Sequence, residues 1–219
     1  LEINLITGNP KVELVQAWGG DLIVYKAARQ SFGASEDPSW DEINGLIRKL
    51  VKLGHGTPFE HSGITVFVKC PIFVARQWVR HRMASYNEVS GRYTELKPDF
   101  YLPWSGQDNP SALMEPFRDA CQKAYDTYLS LIAAGTPKET ARGVLPVSVA
   151  TQFYCSMNAR SLMNFFALRL SDHAQADIRC CAIGVWDIFQ EHMPITAQAF
   201  KVETIGDRAG YDAFRLIRG

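Results

Sequence analysis

The sequence has no surplus of either charge: 23 lysines and arginines stand against 23 aspartates and glutamates, for a formal net charge of zero. Proteins that hold long stretches of duplex carry a basic excess, so general nucleic-acid binding is disfavoured from the outset. An anionic ligand must instead be met by arginines gathered locally. No apolar run approaches the length that spans a bilayer, and residues 1–20 lack the charged-then-apolar layout of a secretion signal. Cysteine is sparse and unpatterned. Cys70, Cys121, Cys155, Cys180 and Cys181 form an odd set without Cys-x-x-Cys spacing, which reads as reduced, mostly core thiols in a cytoplasmic protein. The histidines show no His-Glu-x-x-His or comparable cluster, so no metal site is expected. Internal repeats and low-complexity stretches are missing too.

What is present is material for a core. Hydrophobic residues make up 47% of 219 positions, enough for one domain spanning residues 1–219. Residues 2–6 alternate as a short strand does, and Gly8-Asn9-Pro10 turns the chain into a second run at 12–15. Asp21 is placed to cap a helix running toward Phe32. A helix over residues 40–53 puts Ile43, Ile47, Leu50 and Val51 on one face and stops at Gly54. Residues 64–69 read as a strand with both faces at least partly covered. Pro71 suits a helical first turn, and that helix is expected to run to about Arg82. Residues 83–93, rich in Ser, Asn and Gly, read as a structured loop. A long amphipathic helix over 112–134, a strand over 147–157, and helices over 158–170 and 174–191 follow, with Ser171-Asp172 able to cap the last. Strands and long helices without a regular βαβ rhythm give an α+β, mixed α/β class, with a small central sheet flanked by long helices and not doubly wound.

The arginines carry the first chemical signal. Arg76, Arg80 and Arg82 fall together with Gln77 and His81. On a helix, Gln77, Arg80 and His81 are spaced i, i+3 and i+4 and project from one face. Spacing alone serves a solvated basic helix end equally well, since cations complement the helix dipole there. The following Ser90-Gly91-Arg92 places a hydroxyl, an unobstructed backbone N–H and a guanidinium side by side. That trio suits a phosphate monoester, although an ordinary Ser-Gly turn has the same sequence.

These residues resemble a known family. Arg80-His81-Arg82, seven intervening residues and Ser90 match the signature of flavin-dependent thymidylate synthases. The segments 55–61 (HGTPFEH), 71–78 (PIFVARQW), 141–146 (ARGVLP) and 158–166 (NARSLMNFF) are similar to that family as well, followed by Leu168-Arg169 and His173-Ala174-Gln175. The resemblance covers roughly residues 28–176, and several motifs in register are far more specific than one. It implies reductive methylation of dUMP at uracil C5, with carbon from 5,10-methylenetetrahydrofolate and hydride from reduced FAD replenished by NADPH. It also implies a homotetramer with shared active sites and a mixed α/β fold. Carried over by position, Gln77, Arg80, Glu88, Ser90, Gly91, Arg92, Arg142 and Arg169 correspond to dUMP-binding residues. Thr57, Arg80, His81, Arg82, Glu88, Asn158, Arg160 and Asn164 correspond to residues lining FAD. His55 and Tyr93 resemble residues near the folate and flavin ring. Arg169 matches the position that activates the uracil, the one catalytic side chain implied.

The physical reading agrees. Uracil C5 becomes nucleophilic as negative charge develops along N3 and O4, and a guanidinium stabilises that charge in a dry site. No cysteine sits beside a plausible base, as an activated thiolate needs, so the cofactor is expected to carry the hard chemistry. Two rivals remain open at this stage. One is a nucleotide-binding flavoprotein with altered pyrimidine or carbon-donor specificity; the other is a nucleic-acid-binding surface on a non-enzyme.

Overall fold

The computed structural model describes residues 1–31, 33, 37–102 and 111–205, with 111–113 and 205 by backbone only. In chain order its strands are β1 (Asn4–Ile6), β2 (Lys11–Trp18), β3 (Gly63–Pro71), β4 (Ser85–Glu88), β5 (Asp99–Tyr101) and β6 (Ala150–Asn158). Its first four α-helices are α1 (Asp21–Arg29), α2 (Trp40–Lys52), α3 (Ile72–Trp78) and α4 (Ser111–Ala133). The others are α5 (Lys138–Ala141), α6 (Ala159–Arg169), α7 (Ala176–His192) and α8 (Pro194–Phe200). Strands β2-β3-β6-β4 are neighbours in that order in one sheet, and β1 pairs with β5. The class is α+β, as the sequence implies, and the strand order is not that of a doubly wound sheet.

By compactness the chain divides into two units. The first comprises Leu1–Lys11, Val68–Arg80 and Asn87–Phe153. Here β1 and β5 run parallel in the register Asn4↔Asp99, Leu5↔Phe100, Ile6↔Tyr101. Ile3, Phe100, Cys121, Tyr125, Tyr128, Ala141 and Val149 form the core, each large side chain contributing about 1.5–3 kcal/mol by leaving water. Two tyrosines of α4 also fix the chain after the Ser-Gly turn. Tyr128 Oη accepts from the Leu96 N–H at 3.1 Å, and Tyr125 Oη donates to the Leu96 carbonyl at 3.2 Å. A buried phenol needs such a partner, and here the partner is a wall of the candidate site.

The second unit comprises Val12–Phe67, His81–Tyr86 and the chain from Tyr154. Helix α2 begins with a reciprocal capping box, in which Ser39 accepts from the Glu42 N–H and Glu42 accepts from the Ser39 N–H. Of the apolar stripe that the spacing predicts, Ile43, Ile47 and Leu50 are buried and Val51 is half-buried. Aromatic packing continues through Phe166 of α6, whose ring centroid lies 4.9 Å from Trp186 and 5.2 Å from Phe189 of α7.

Several local expectations give way to tertiary contacts. Asp21 does not cap its own helix; Gly20 occupies the cap position of α1, without a side-chain bond. The buried Asp21 carboxylate instead accepts from the N–H groups of Ile195 and Thr196 at 2.8 and 3.0 Å and from the Thr196 hydroxyl at 2.6 Å. It therefore satisfies first-turn donors of α8, which Pro194 opens. Phe32, toward which α1 is expected to run, lies outside the described residues. Ser171-Asp172 does not cap α7 either. Gln175 holds that position, while Asp172 pairs with Arg179 at 3.3 Å.

Candidate active site

The first unit contains a cavity of about 320 Å³ lined by Glu88, Val89, Ser90, Gly91, Leu96 and Arg142, with Ile72, Leu145, Val149, Ala150 and Thr151 completing the walls. Its shape follows from the strand edge. The Val89 N–H donates to the Gln152 carbonyl at 2.9 Å, carrying the chain past β4 into a turn. In that turn the Ser90 carbonyl accepts from the N–H groups of Tyr93 and Thr94 at 3.2 and 3.1 Å. Ser90 Oγ accepts from the Arg92 N–H at 3.3 Å. Gly91 is buried, and a Cβ there would stand 3.2 Å from Leu96 Cδ1 and 3.3 Å from Arg142 Cδ. Glycine thus lets the turn lie against the Arg142 stem. Glu88 accepts a hydrogen bond from the Thr151 hydroxyl of β6. A slot with both apolar and polar walls, the latter including a hydroxyl, a glycine backbone and a guanidinium, matches a planar heterocycle carrying a phosphate, and its volume suits a mononucleotide.

Other predicted nucleotide contacts lie outside this cavity. Arg92 turns to α5, where its Nε pairs with Glu139 at 3.0 Å, and its guanidinium carbon sits 5.4 Å from the Tyr93 ring centroid. Tyr93 itself, matched by resemblance to the folate and flavin-ring vicinity and not to the nucleotide, is 74% exposed. Gln77 is half-buried on α3 and Arg80 is exposed beyond that helix.

The expected long basic helix is a correction. Helix α3 ends at Trp78, with Val79 as its C-cap, so Gln77, Arg80 and His81 do not share a helical face. The expected loop over 83–93 likewise contains β4, a strand beside β6. Sheet pairing overrides the turn-forming composition of Ser85 to Glu88, and the helix must end early to deliver the chain to that strand.

In the second unit, a cavity of about 280 Å³ has apolar walls from Leu50, Val51, Phe59, Met163 and Phe200, and a polar set of His55, Arg160 and Asn164. Arg160 lies across the backbone at Gly56, where a Cβ would meet its Nε at 2.7 Å. Its Nη1 donates to Glu60 Oε1 at 2.5 Å. Thr57 opens the 3-10 turn Thr57–His61 and is exposed, as is Arg82. Asn158 caps α6, its Oδ1 accepting from the Ser161 N–H at 2.9 Å. This donor set fits one aromatic ring system with polar edges. The volume is at the small end for a ligand pocket, well short of a whole dinucleotide.

The second unit also brings Arg169 to His81. Arg169 Nε donates to His81 Nε2 at 3.0 Å. The imidazole, 8% exposed, packs edge-on against Phe165 at 4.9 Å between centroids. Burial, with help from the Arg169 charge, lowers the His81 pKa from 6.5 to about 4. Burial also lowers that of Arg169. His81 is thus neutral near pH 7, and an accepting Nε2 places its proton on Nδ1.

Four side chains of these sites escaped the sequence reading. Thr151 holds Glu88, and the inward alternation of β6 was the available signal. Glu60 holds Arg160, and it lies within the matched segment 55–61. Tyr125 and Tyr128 fix Leu96 from about thirty residues away, a separation at which no local pattern signals contact. The cysteines behave as expected: Cys70, Cys121, Cys155 and Cys181 are buried, Cys180 is half-buried, and all are free. Burial pushes the Cys70 thiol far above its ordinary range. Among the described residues no group of His, Cys, Asp and Glu could hold a metal ion, and no helix is long and apolar enough to cross a membrane.

Residues 13–195 match the family described as thymidylate synthase complementing protein. A flavin-dependent thymidylate synthase from Thermotoga neapolitana is 46% identical over 194 residues, covering 86% of this chain and 89% of its own length. Another from Thermus thermophilus is 38% identical and covers 95% of this chain and 82% of its own length. Among solved structures, a UMP/dUMP methylase, PolB from Streptomyces cacaoi bound with 5-Br dUMP, superposes with a TM-score of 0.88. Its identity is 33%, over 92% of this chain and 98% of that one.

Proposed function

The chain belongs to the flavin-dependent thymidylate synthase family, and from that premise we propose that it converts dUMP to dTMP by reductive methylation at uracil C5. The observation that carries the reading is the first-unit cavity, where Ser90, Gly91 and Arg142 stand around a slot of mononucleotide size. A structural relative is named as a UMP/dUMP methylase, which supports a pyrimidine nucleotide in that slot. The carbon donor is 5,10-methylenetetrahydrofolate. Reduced FAD, replenished by NADPH, supplies the hydride when bound.

The roles of the chain's own residues follow. Ser90, Gly91 and Arg142 bind the phosphate, and Glu88 is kept in place by Thr151. His55, Arg160 and Asn164 offer polar edges to a ring in the second-unit cavity, with Glu60 steadying Arg160. Thr57, Arg80 and Arg82 are exposed and complete the flavin contacts. Arg169 meets the negative charge that develops on the uracil, a guanidinium in a half-buried place being worth more than one in water. No cysteine serves as nucleophile, a reading supported by the burial of Cys70, Cys121, Cys155 and Cys181. Free thiols support a reducing, cytoplasmic setting.

We read residues 1–219 as one functional domain, since the family match runs through both units. The sites are completed by neighbouring copies in a homotetramer. Leu14 and Val15 on β2, 39% and 49% exposed, support apolar contacts there. The test is direct. Purified protein with FAD, NADPH and methylenetetrahydrofolate should release tritium from C5-labelled dUMP and yield dTMP; no release would sink the proposal. A second reading, in which the same pocket takes another pyrimidine nucleotide, is favoured by the relative's being named for UMP as well. Mass spectrometry of products from dUMP, UMP and dCMP separates the two.

A further inference from the structure

We infer that His81 is a positioning residue: its imidazole Nε2 anchors the Nε–H of Arg169 and so sets the plane in which the guanidinium meets the substrate. The inference rests on the proposed role of Arg169 and adds a device that holds it. Two contacts fix the acceptor itself. The His81 carbonyl accepts from Tyr86 Oη at 2.8 Å, tying down the backbone. The ring meets Phe165 edge-on at 4.9 Å and 72°. Phe165 and Arg169 lie four residues apart on α6, so they share a helical face, and a ring seated on the first reaches the second. The 3.0 Å bond from Arg169 Nε closes the arrangement.

An arginine side chain has four rotatable bonds and loses much rotamer freedom when ordered. Anchoring Nε, the atom nearest the stem, fixes the guanidinium plane and leaves the direction of its two terminal nitrogens determined by geometry. That is what a transition-state donor requires, since misplacement of a donor loses most of its effect. A neutral imidazole suits the task because it accepts at Nε2 without adding a second positive charge. The depressed pKa of the buried ring is consistent with this state.

The test compares His81→Phe, which keeps a ring against Phe165 but has no acceptor, with His81→Gln, whose amide oxygen restores one. Expected is a loss of roughly tenfold to a hundredfold in kcat for His81→Phe, the range of one hydrogen bond to a charged group, with KM for dUMP moving far less and most of kcat regained in His81→Gln. In an Arg169→Lys background, which lacks the Nε donor, His81→Phe should add little. Equal losses in both backgrounds would overturn the inference, because His81 would then act elsewhere, for instance on the flavin. A second readout needs no turnover. The Nε–H of 15N-labelled Arg169 should exchange slowly with solvent in wild type and His81→Gln, and faster in His81→Phe. Exchange unaffected by His81→Phe refutes the anchor. If wild type proves inactive on dUMP, this measurement still decides the anchor, while the proposed function falls. Thermal melting of His81→Gln identifies any loss caused by unfolding.

Discussion

His81 also makes a sharp prediction about stability. Its pKa falls from 6.5 to about 4 on folding, chiefly through burial and then through the Arg169 charge. The unfolded chain therefore takes up a proton at this ring before the folded chain does. Stability from this residue is complete above pH 6.5, declines as pH falls toward 4, and changes no further below that. Each pH unit in the interval is worth about 1.4 kcal/mol, so the full decline is at most about 3.5 kcal/mol. Other groups titrate in the same range, so the informative quantity is the difference between wild type and His81→Gln, which has no ring to protonate. Urea unfolding at several pH values between 7.5 and 4 should give a difference that is flat above 6.5 and then shifts steadily against the wild type. In parallel, the His81 ring signal in NMR should remain that of the neutral Nδ1–H form down to about pH 4. A difference independent of pH, or a ring titrating near 6.5, would refute the burial argument.

Four further outcomes are expected. Asp21→Ala should destabilise the protein by roughly 3 kcal/mol in denaturant unfolding, because it strips three charge-assisted bonds from the start of α8; a loss below about 1 kcal/mol would show that α8 finds other caps. Arg169→Ala should leave flavin absorbance intact and cut turnover at least about a hundredfold in the tritium-release assay, the range for one transition-state donor. By calorimetry, Arg142→Ala should weaken dUMP binding by roughly 1.5–3 kcal/mol. Arg92→Ala should weaken it by about 1 kcal/mol or less, since that guanidinium is half-exposed and already paired with Glu139. The reverse order would place the phosphate at Arg92.

Legibility in the sequence followed the range of the interactions. Helix α2 was readable because its buried stripe at Ile43, Ile47 and Leu50 repeats within a few residues. The cap of α6 at Asn158 sits within a residue of the expected helix start for the same reason. The turn at Ser90-Gly91-Arg92 was legible as a turn, and the structure places Ser90 and Gly91 in a cavity wall. Its third member was not: Arg92 faces Glu139, which lies 47 residues on. Propensity misled at 85–88, where Ser and Asn favour turns but a sheet neighbour imposes a strand.

The sequence by itself determined the family, through motifs matched in register from 55 to 175, and it determined which residue types are available to meet an anion in a chain of zero net charge. Only the tertiary structure decided what those residues touch. Asp21 was a helix start in sequence and became the cap of a helix more than 170 residues away. His81 and Arg169, 88 positions apart, became one hydrogen-bonded pair. Local sequence encodes periodicity and caps because those energies arise between near neighbours. A contact between distant residues depends on where the whole chain packs, and that packing decides whether an arginine is solvated or held in place.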